Sequence, residues 1–588
     1  GAIQPRAIKM FPSQQMRRAL LCAALVTAAD AAGHVDASTC CWCDTATPSS
    51  ALTTRGSDGH EYKLIFSDEF NTPGRDLSNG ADAKWTALNK SDDTNFSPMR
   101  YIPDAVTTVT DPGALMRVNS SNESDTRMEW HDYAQPVGAL RLTTDKIIDP
   151  EYAEAVNKTY TGGMVQTWNK FCFTGGVAEV SAKFPLGNGF WPAIWLFGNL
   201  GRAVYEESNT GLWPWSFDTC DEEWDMFPIP KPGKPQKISA CNPNPGPGLH
   251  PYQGRGATEI DLAEVGNTDW GNGGFVFASL QVSPSIPEFY RPPMMTVPAG
   301  WTIDKETKLL SYEVPDGDRA NSWYRNLSLG GQPATVPDPA VPPVGPNFHW
   351  WGQPFADAVS AGVWPLNDLA ERYRTFRVEW KDGDKGYIRW YLEGVFVFEI
   401  KAESLGRYSV CTEGPANTGP HCVYTPKRLM PSEPMSVVMN SALGQWGGGA
   451  ASTEGKLPGQ MYVDWVRVYQ RPDRYNIGCD PPDFPTKEYI KANQDLYGEA
   501  VKPEGDETCP GIYPKPTWPS RSAARKPKNS GAKLSLGLGA AVLVIVALGI
   551  LGRKAYAKMV GRREPSQYAS VDGSINVPIL QQEQAPRS

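Results

Sequence analysis

The chain has 588 residues, more than one ordinary hydrophobic core requires, so one large domain with appendages or two domains are expected. Its formal net charge of −9 and its pI near 5.4 argue against a nucleic-acid-binding protein, which usually presents a basic surface. The 56 Gly, 53 Pro and 20 Trp residues favour a loop-rich β protein whose aromatic side chains could stack on sugar rings.

The N-terminal residues have the features of a secretory leader. A basic start at 16–18 precedes an apolar run at 19–26 and small residues near Ala29. We therefore expect residues 1–33 to be a leader and residues 34–60 to be a Cys-containing linker.

Removal of that leader leaves ten cysteines, and an even number in a secreted chain favours disulfides whose pairing the sequence leaves open. A metal cluster at residues 40–43 is the weaker alternative, since no second Cys/His pair follows at zinc spacing. The cysteines expected to form disulfides in the body are Cys172, Cys220, Cys241, Cys411, Cys422, Cys479 and Cys509. The N-glycosylation triplets begin at Asn89, Asn95, Asn119, Asn122, Asn157 and Asn326.

The body of the chain reads as a series of short strands. Apolar or alternating runs begin at 62–70 and recur to 461–469, without long helical periods, which predicts an all-β sandwich over residues 61–472. The sequence LEGV at 392–395 predicts a hairpin turn. Two long insertions, 205–256 and 284–370, are rich in Pro, Gly and Asn. A disulfide between Cys220 and Cys241 would hold the first insertion near the acidic segment that follows it at 257–266.

The C-terminal part predicts a membrane anchor. Residues 473–513 form a Cys/Pro-rich extension expected to pack on the body, and 514–533 form a basic stalk. Residues 534–551 are apolar enough to cross a bilayer as a single helix, which leaves 552–588 as a cytosolic tail. We expect a single-pass protein of the secretory pathway, in the ER, Golgi, vacuolar or plasma membrane, with its body lumenal or extracellular.

Residues 257–266, ATEIDLAEVG, place three carboxylates on one predicted strand. Side chains alternate along a strand, so Glu259 and Asp261 share a face, and a bulge at Leu262-Ala263 would return Glu264 to it. Acids on one face repel each other, which raises one pKa and leaves another group ionised, as acid/base and nucleophilic chemistry require. The plainer interpretation is a solvated edge strand with ordinary surface acids.

Three segments in this order resemble glycoside hydrolase family 16: WPAIW at 191–195, the acidic strand, and VDWVRVY at 463–469. A closer similarity is to the fungal β-glucan-synthesis-associated proteins of the Kre/Skn type. The segments that carry it are 167–176, 198–202, 211–221, 254–257 and 476–481. The chain differs from that pattern in its C-terminal anchor and in the sequence ASLQ at 278–281.

This resemblance implies a concanavalin-like β-jelly-roll sandwich with long loop insertions and retaining chemistry at a β-glucan. It implies Glu259 as nucleophile, Asp261 as its partner, and Glu264 as acid/base. Substrate contacts are expected from Trp191, Trp195, Asn188, Gln281, Asn440 and Trp446. No cofactor is required, although Asp464 could help to bind a structural calcium.

The expected partners are a β-glucan oligosaccharide or polysaccharide and, through residues 534–551, the lipid bilayer, with no nucleic acid. Hydrolysis and transglycosylation, including β-1,6 branching of β-1,3-glucan, both remain open. A protein of another class is the alternative, namely a catalytically silent glucan-binding or assembly factor of the secretory pathway. For each tryptophan the alternative to sugar stacking is core packing.

Overall fold

The computed structural model divides the chain into two compact units, 1–527 and 528–588, and all residues described below belong to the first. The described residues are 40–94, 97–119, 130–185, 187, 189–220, 236–267, 274–284, 301–303, 310–312, 356–363, 369–406, 408–412, 421–444, 455–498 and 509–517.

Strands dominate these residues, as the alternating sequence runs predict. The strands are β1 Thr53–Arg55, β2 Glu61–Asp68, β3 Thr86–Ala87, β4 Lys90–Ser91, β5 Met99–Tyr101, β6 Val106–Asn119, β7 Trp130–Lys146, β8 Tyr160–Gly162, β9 Met164–Gln166, β10 Gly176–Lys183, β11 Ala193–Gly198, β12 Glu259–Asn267, β13 Gly274–Val282, β14 Trp301–Ile303, β15 Leu310–Tyr312, β16 Asp357–Val363, β17 Arg374–Lys381, β18 Tyr387–Leu392, β19 Val395–Lys401, β20 Tyr408–Thr412, β21 His421–Thr425, β22 Met435–Asn440 and β23 Gly459–Gln470. The helices are α1 Pro150–Val156, α2 Glu206–Asn209, α3 Lys487–Ala492 and α4 Gln494–Tyr497, with 3₁₀ turns at Ser49–Ala51, Pro103–Ala105 and Ala402–Leu405.

Two largely antiparallel sheets form the body. Within the described residues the larger sheet has 12 strands, with β19-β18-β17-β10-β23-β7-β8-β5-β4 as its main order. The smaller sheet has seven strands in the order β16-β13-β12-β11-β22-β9-β3. The acidic strand β12 therefore lies between β13 and β11, away from either edge of its sheet.

One hydrophobic core lies between the two sheets. Val180 and Val466 of the larger sheet and Leu196, Ile260 and Leu280 of the smaller sheet belong to the same buried cluster. Because alternate side chains of each strand enter this core, the opposite face of the smaller sheet is free to carry polar groups. The all-β sandwich expected from the sequence is thus confirmed.

Residues 40–60, predicted to be part of a linker, are instead packed on the body. Strand β1 pairs with β2, and the indole of Trp42 belongs to the core cluster with 8% exposure. Cys40 bonds with Cys43 and Cys41 with Cys509, so the disulfide interpretation of this cysteine group is confirmed. An apolar tryptophan and a long-range disulfide remove the freedom that a linker would have.

Disulfides also join Cys172 to Cys479 and Cys220 to Cys241, and the second of these is the pairing expected to hold the first insertion. Cys411 and Cys422 face each other in the register of β20 and β21, but their side chains lie outside the described residues. Asn89 and Asn157 are exposed. The side chains of Asn95, Asn119, Asn122 and Asn326 are outside the described set.

None of the helices in the described ranges is long and apolar enough to cross a bilayer. The predicted leader at 1–33, the anchor at 534–551 and the tail at 552–588 all fall outside those ranges. The domain boundaries at the two ends of the chain therefore stay predictions.

Candidate active site

Strand β12 carries a bulge at the predicted position. Against β13, Asp261 pairs with Ser279 and Glu264 with Phe277, so Leu262 and Ala263 together oppose a single residue. Both of these apolar side chains enter the core cluster, with exposures of 4% and 0%. The extra residue restores Glu264 to the face of Glu259 and Asp261, and all three carboxylates line one cavity.

Each carboxylate is held by a different donor. Trp213 Nε1–H donates to Glu259 Oε2 at 2.6 Å, and Trp191 Nε1–H donates to Glu264 Oε1 at 3.0 Å. The hydroxyl of Ser279 donates to Asp261 Oδ2. The three acids are therefore oriented by side chains that start from three different parts of the sequence.

Burial raises the pKa of all three carboxyl groups. The pKa of Glu259 lies well above its usual value because of burial and then the repulsion of Asp261 and Glu264. Burial raises the pKa of Asp261 to about 6, against the opposing effect of the Ser279 hydrogen bond. Burial and the charge of Asp261 raise the pKa of Glu264 well above its usual value. The cluster can therefore hold a proton near neutral pH beside an ionised carboxylate.

The cavity has a volume of about 440 Å³. Its floor is the outward face of β12, β13, β11 and β22, and its walls come from several other segments, among them 203–213 of the chain. The residues that line it are Asp92, Asp93, Thr94, Ser97, Tyr101, Met164, Trp191, Ala193, Trp195, Phe197, Ala203, Val204, Glu206, Asn209, Thr210, Gly211, Trp213, Glu259, Asp261, Glu264, Gln281, Asn440, Ala442, Leu443 and Gly444. Aromatic walls around convergent polar groups are typical of a small-molecule or sugar site.

Four of the predicted substrate contacts line this cavity, namely Trp191, Trp195, Gln281 and Asn440. Trp195 Nε1–H donates to Asn440 Oδ1 at 2.8 Å, so the amide and the indole fix each other. Asn188 and Trp446, also predicted as contacts, lie outside the described residues. The structure thus places four of the predicted contacts around the acids, while their roles toward a substrate remain predictions.

Sequence reasoning missed two sources of cavity residues. Trp213 lies in the GLWPWS segment of the first insertion, which was recognised as a family signature but not as part of the site. The second source follows β4, and its residues that line the cavity are Asp92, Asp93, Thr94 and Ser97. A signal was present for Trp213, whereas the second contribution depends on tertiary contacts alone.

Asp464 lies in a bulge of β23 opposite β10, where Ser181 Oγ–H donates to its Oδ2 at 3.4 Å. Burial and then the charge of Glu69 raise its pKa to about 7, while the cation of Arg467 opposes this shift. Among the residues that the structure describes there is no group of three or more His, Cys, Asp or Glu suited to a metal. Calcium needs several oxygen ligands, which can also come from backbone carbonyls and water, so the structural calcium at Asp464 stays a prediction.

Residues 10–128, 118–313 and 347–509 match the model of a family described as beta-glucan synthesis-associated protein SKN1/KRE6/Sbg1. The chain belongs to this family. The Kre/Skn resemblance carried by the sequence motifs is therefore confirmed.

Two relatives and one solved structure illustrate the relationship. The SKN1/KRE6/Sbg1 family member SKN1 of Candida albicans, a beta-glucan synthesis-associated protein, is 31% identical over 77% of this chain and 51% of its own length. KRE6 of Saccharomyces cerevisiae is 30% identical over 78% of this chain and 53% of its own. A crystallised non-specific endo-β-1,3(4)-glucanase from family GH16 aligns with 71% of this chain and 98% of its own, at 17% identity and a TM-score of 0.34. The chain spans about half the length of the curated relatives it matches.

Proposed function

We propose that this family member is a retaining glycosidase or transglycosylase that acts on β-glucan during glucan synthesis or remodelling. The observation that carries the proposal is the bulged strand β12, which brings Glu259, Asp261 and Glu264 to one cavity beside two indole donors. A lectin has no need for a matched acid and nucleophile. The family's association with β-glucan synthesis supports the choice of substrate.

The hydrogen bonds favour Glu259 as nucleophile and Glu264 as acid/base. A short bond from an indole N–H stabilises an ionised carboxylate, and the bond to Glu259 at 2.6 Å is shorter than the bond to Glu264 at 3.0 Å. Burial and the charge of Asp261 raise the pKa of Glu264, so this group can carry the proton. The pKa of Glu259 is raised as well, and the assignment of the two roles therefore rests on the hydrogen bonds. We expect these two carboxyl groups to lie about 5 Å apart in the complex with substrate, as retention requires.

In the proposed first step, an oxygen of Glu259 attacks the anomeric carbon while Glu264 gives its proton to the departing glycosidic oxygen. A covalent glycosyl ester forms on Glu259, and the part of the donor on the reducing-end side of the cleaved bond leaves with that proton. In the second step, Glu264 takes a proton from the acceptor hydroxyl, which attacks the same carbon and releases Glu259. Water as acceptor gives hydrolysis, whereas a sugar hydroxyl gives transfer.

Trp191, Trp195 and Trp213 offer aromatic surfaces around the acids, and such surfaces favour sugar acceptors over water. We therefore propose transfer as the main outcome, with β-1,6 branching of a β-1,3 chain as one form of it.

The test is incubation of the purified protein with β-1,3- and β-1,6-gluco-oligosaccharides. We expect products longer than the donor, and a loss of at least about 10³-fold in rate for Glu259→Gln and Glu264→Gln. Exposed Glu207, next to the cavity wall, provides the control variant Glu207→Gln, which should retain the wild-type rate. If the wild-type protein and all variants bind glucan but none of them turns it over, the enzyme hypothesis is rejected and the glucan-binding or assembly factor is favoured.

We also propose that the body lies in the lumen or outside the cell, with residues 534–551 as its membrane anchor. The four disulfides among the described residues support an oxidising compartment. In sealed microsomes, protease should remove a tag placed after residue 588 and leave the body intact. Digestion of the body with protection of the tag would contradict this orientation.

A further inference from the structure

Trp213 differs from the other cavity tryptophans in its position in the chain and in the side chain to which its indole N–H donates. It belongs to the first insertion, whereas Trp195 lies on β11 in the floor of the cavity and Trp191 lies two residues before that strand. Its Nε1–H contacts the Oε2 atom of Glu259 at 2.6 Å, the shorter of the two indole–carboxylate bonds at the site.

The backbone around Trp213 is hydrogen-bonded to the sheet on both sides. The N–H of Ala257, two residues before β12, donates to the carbonyl of Leu212 at 2.8 Å. The N–H of Ser283, one residue after β13, donates to the carbonyl of Pro214 at 2.9 Å. Residues 212–214 are therefore fixed to the start of the acidic strand and to the end of its neighbour, which sets the indole in register with Glu259.

A second set of contacts holds the C-terminal end of the insertion. The guanidinium of Arg255 forms a bidentate ion pair with Glu433 at 2.6 and 2.7 Å, with the arginine side chain fully buried. The same guanidinium donates to the carbonyl of Pro485 in the C-terminal extension at 2.9 Å. Charge-assisted bidentate pairs give geometric precision as well as energy, so Arg255 is held firmly two residues before Ala257, whose N–H bonds to Leu212.

We propose that Trp213 is a positioning residue for the reaction, which binds Oε2 of Glu259 and thereby sets the orientation of this carboxylate toward the anomeric carbon. This inference rests on the proposed function and assigns a role in it to the insertion. The N–H donor also offsets part of the effect of burial and of the two neighbouring carboxylates, which both disfavour an ionised Glu259. Without the donor, Glu259 would rotate more freely and would hold its proton to a higher pH.

The test compares Trp213→Phe, which keeps an aromatic ring and removes the N–H, with Trp195→Phe, whose indole donates to the neutral amide of Asn440. For Trp213→Phe we expect kcat to fall by about 10- to 100-fold, the range for loss of one hydrogen bond to a charged group. Activity requires ionised Glu259, so the acidic limb of the pH–rate profile should move to higher pH by about one to two units. KM should change far less than kcat. The acidic limb should not move in Trp195→Phe.

A second measurement does not depend on turnover. An epoxyalkyl β-glycoside of laminaribiose is opened by an ionised carboxylate, with an ester formed at Glu259 and the epoxide oxygen taking up a proton. Mass spectrometry of the labelled peptide against pH reports the ionisation of Glu259 in the full-length protein. We expect the midpoint of labelling to rise in Trp213→Phe and to stay in place in Trp195→Phe.

The outcomes separate the two hypotheses. Labelling of Glu259 without glucan turnover would reject the proposed function while the labelling midpoint still tests Trp213. The role of Trp213 would be overturned if turnover or labelling had the same pH midpoint in Trp213→Phe as in the wild type. It would also be overturned if Glu259 were not labelled. If Trp213→Phe fails to fold, benzothienylalanine at position 213 keeps the indole shape without the N–H, and the same outcomes apply.

Discussion

Asp261 is the least exposed of the three acids, at 1%, and its environment does not favour its charge. Burial raises its pKa from 3.8 to about 6, so folding favours the protonated form. The stability that this group contributes is fully present below pH 3.8 and is lost as the pH rises through about 6. The site is therefore a source of instability at neutral pH, as is common where function requires buried charge.

We predict that Asp261→Asn stabilises the protein at pH 8 by up to about 3 kcal/mol, the free energy that corresponds to the pKa difference from 3.8 to 6. The neutral amide avoids the cost of burying an ionised group, and its oxygen can still accept the Ser279 hydrogen bond. Denaturant unfolding at pH 8 and at pH 3 measures the effect, which should vanish at pH 3.

The exposed Asp104 supplies the control Asp104→Asn, which should leave the free energy of unfolding nearly unchanged at pH 3 and at pH 8. An equal gain for Asp261→Asn at both pH values would show that packing, and not ionisation, is responsible.

At the scale of elements, the bulge in β12 and the turn beside it create the site. The sequence predicted the bulge from the odd spacing of Glu264 against Glu259, and the register with β13 confirms it. The hairpin between β18 and β19 is also confirmed, with φ of 54° at Glu393 and 75° at Gly394. Both features are local consequences of side-chain period and backbone sterics, so a single sequence can reveal them.

Gly256 permits the close approach of the insertion to the start of β12. A Cβ atom at this position would lie 1.9 Å from the carbonyl oxygen of Trp215. We predict that Gly256→Ala pushes residues 212–216 away from the strand, with a loss of about 1–3 kcal/mol in unfolding free energy. Because Trp213 would move with this segment, the rate of glucan turnover should fall even under conditions where the variant remains fully folded.

The matched control is Gly406→Ala, whose Cβ would meet its nearest atom, the carbonyl oxygen of Glu403, at 3.0 Å. Thermal unfolding and turnover should be much less affected in that variant. Equal effects of the two substitutions would contradict the idea that the contact between the insertion and β12 positions the site.

At the scale of the whole molecule, the C-terminal extension is packed on the body by residues that lie before the first insertion. The hydroxyl of Tyr497 donates to the carbonyl of Leu200 at 2.7 Å, and its ring stacks on Trp168 with centroids 5.5 Å apart. Cys479 ties the same extension to Cys172 in the body. The extension is therefore bound firmly to the body, although no residue after 444 lines the described cavity.

The disulfides should differ in their contribution to stability. Cys172–Cys479 spans 307 residues of sequence and Cys220–Cys241 spans 21. Chain entropy predicts that loss of the first by paired Cys→Ser substitution costs about 2 kcal/mol more than loss of the second. Equilibrium unfolding of the two double variants without reductant measures this difference. Equal costs would indicate an enthalpic origin.

Local sequence patterns were enough to predict the strand-rich body, the family, the acidic strand with its bulge, and the tryptophans on β11 and before it. These follow from period-two alternation, turn chemistry and local motifs, which depend on residues close together in the chain. The folded chain was needed to show that residues 40–60 belong to the body, that Cys41 pairs with Cys509, and that Trp213 binds Glu259. Those features join residues that are distant in sequence, and their partners are selected by the packing of the two sheets, which no local pattern encodes.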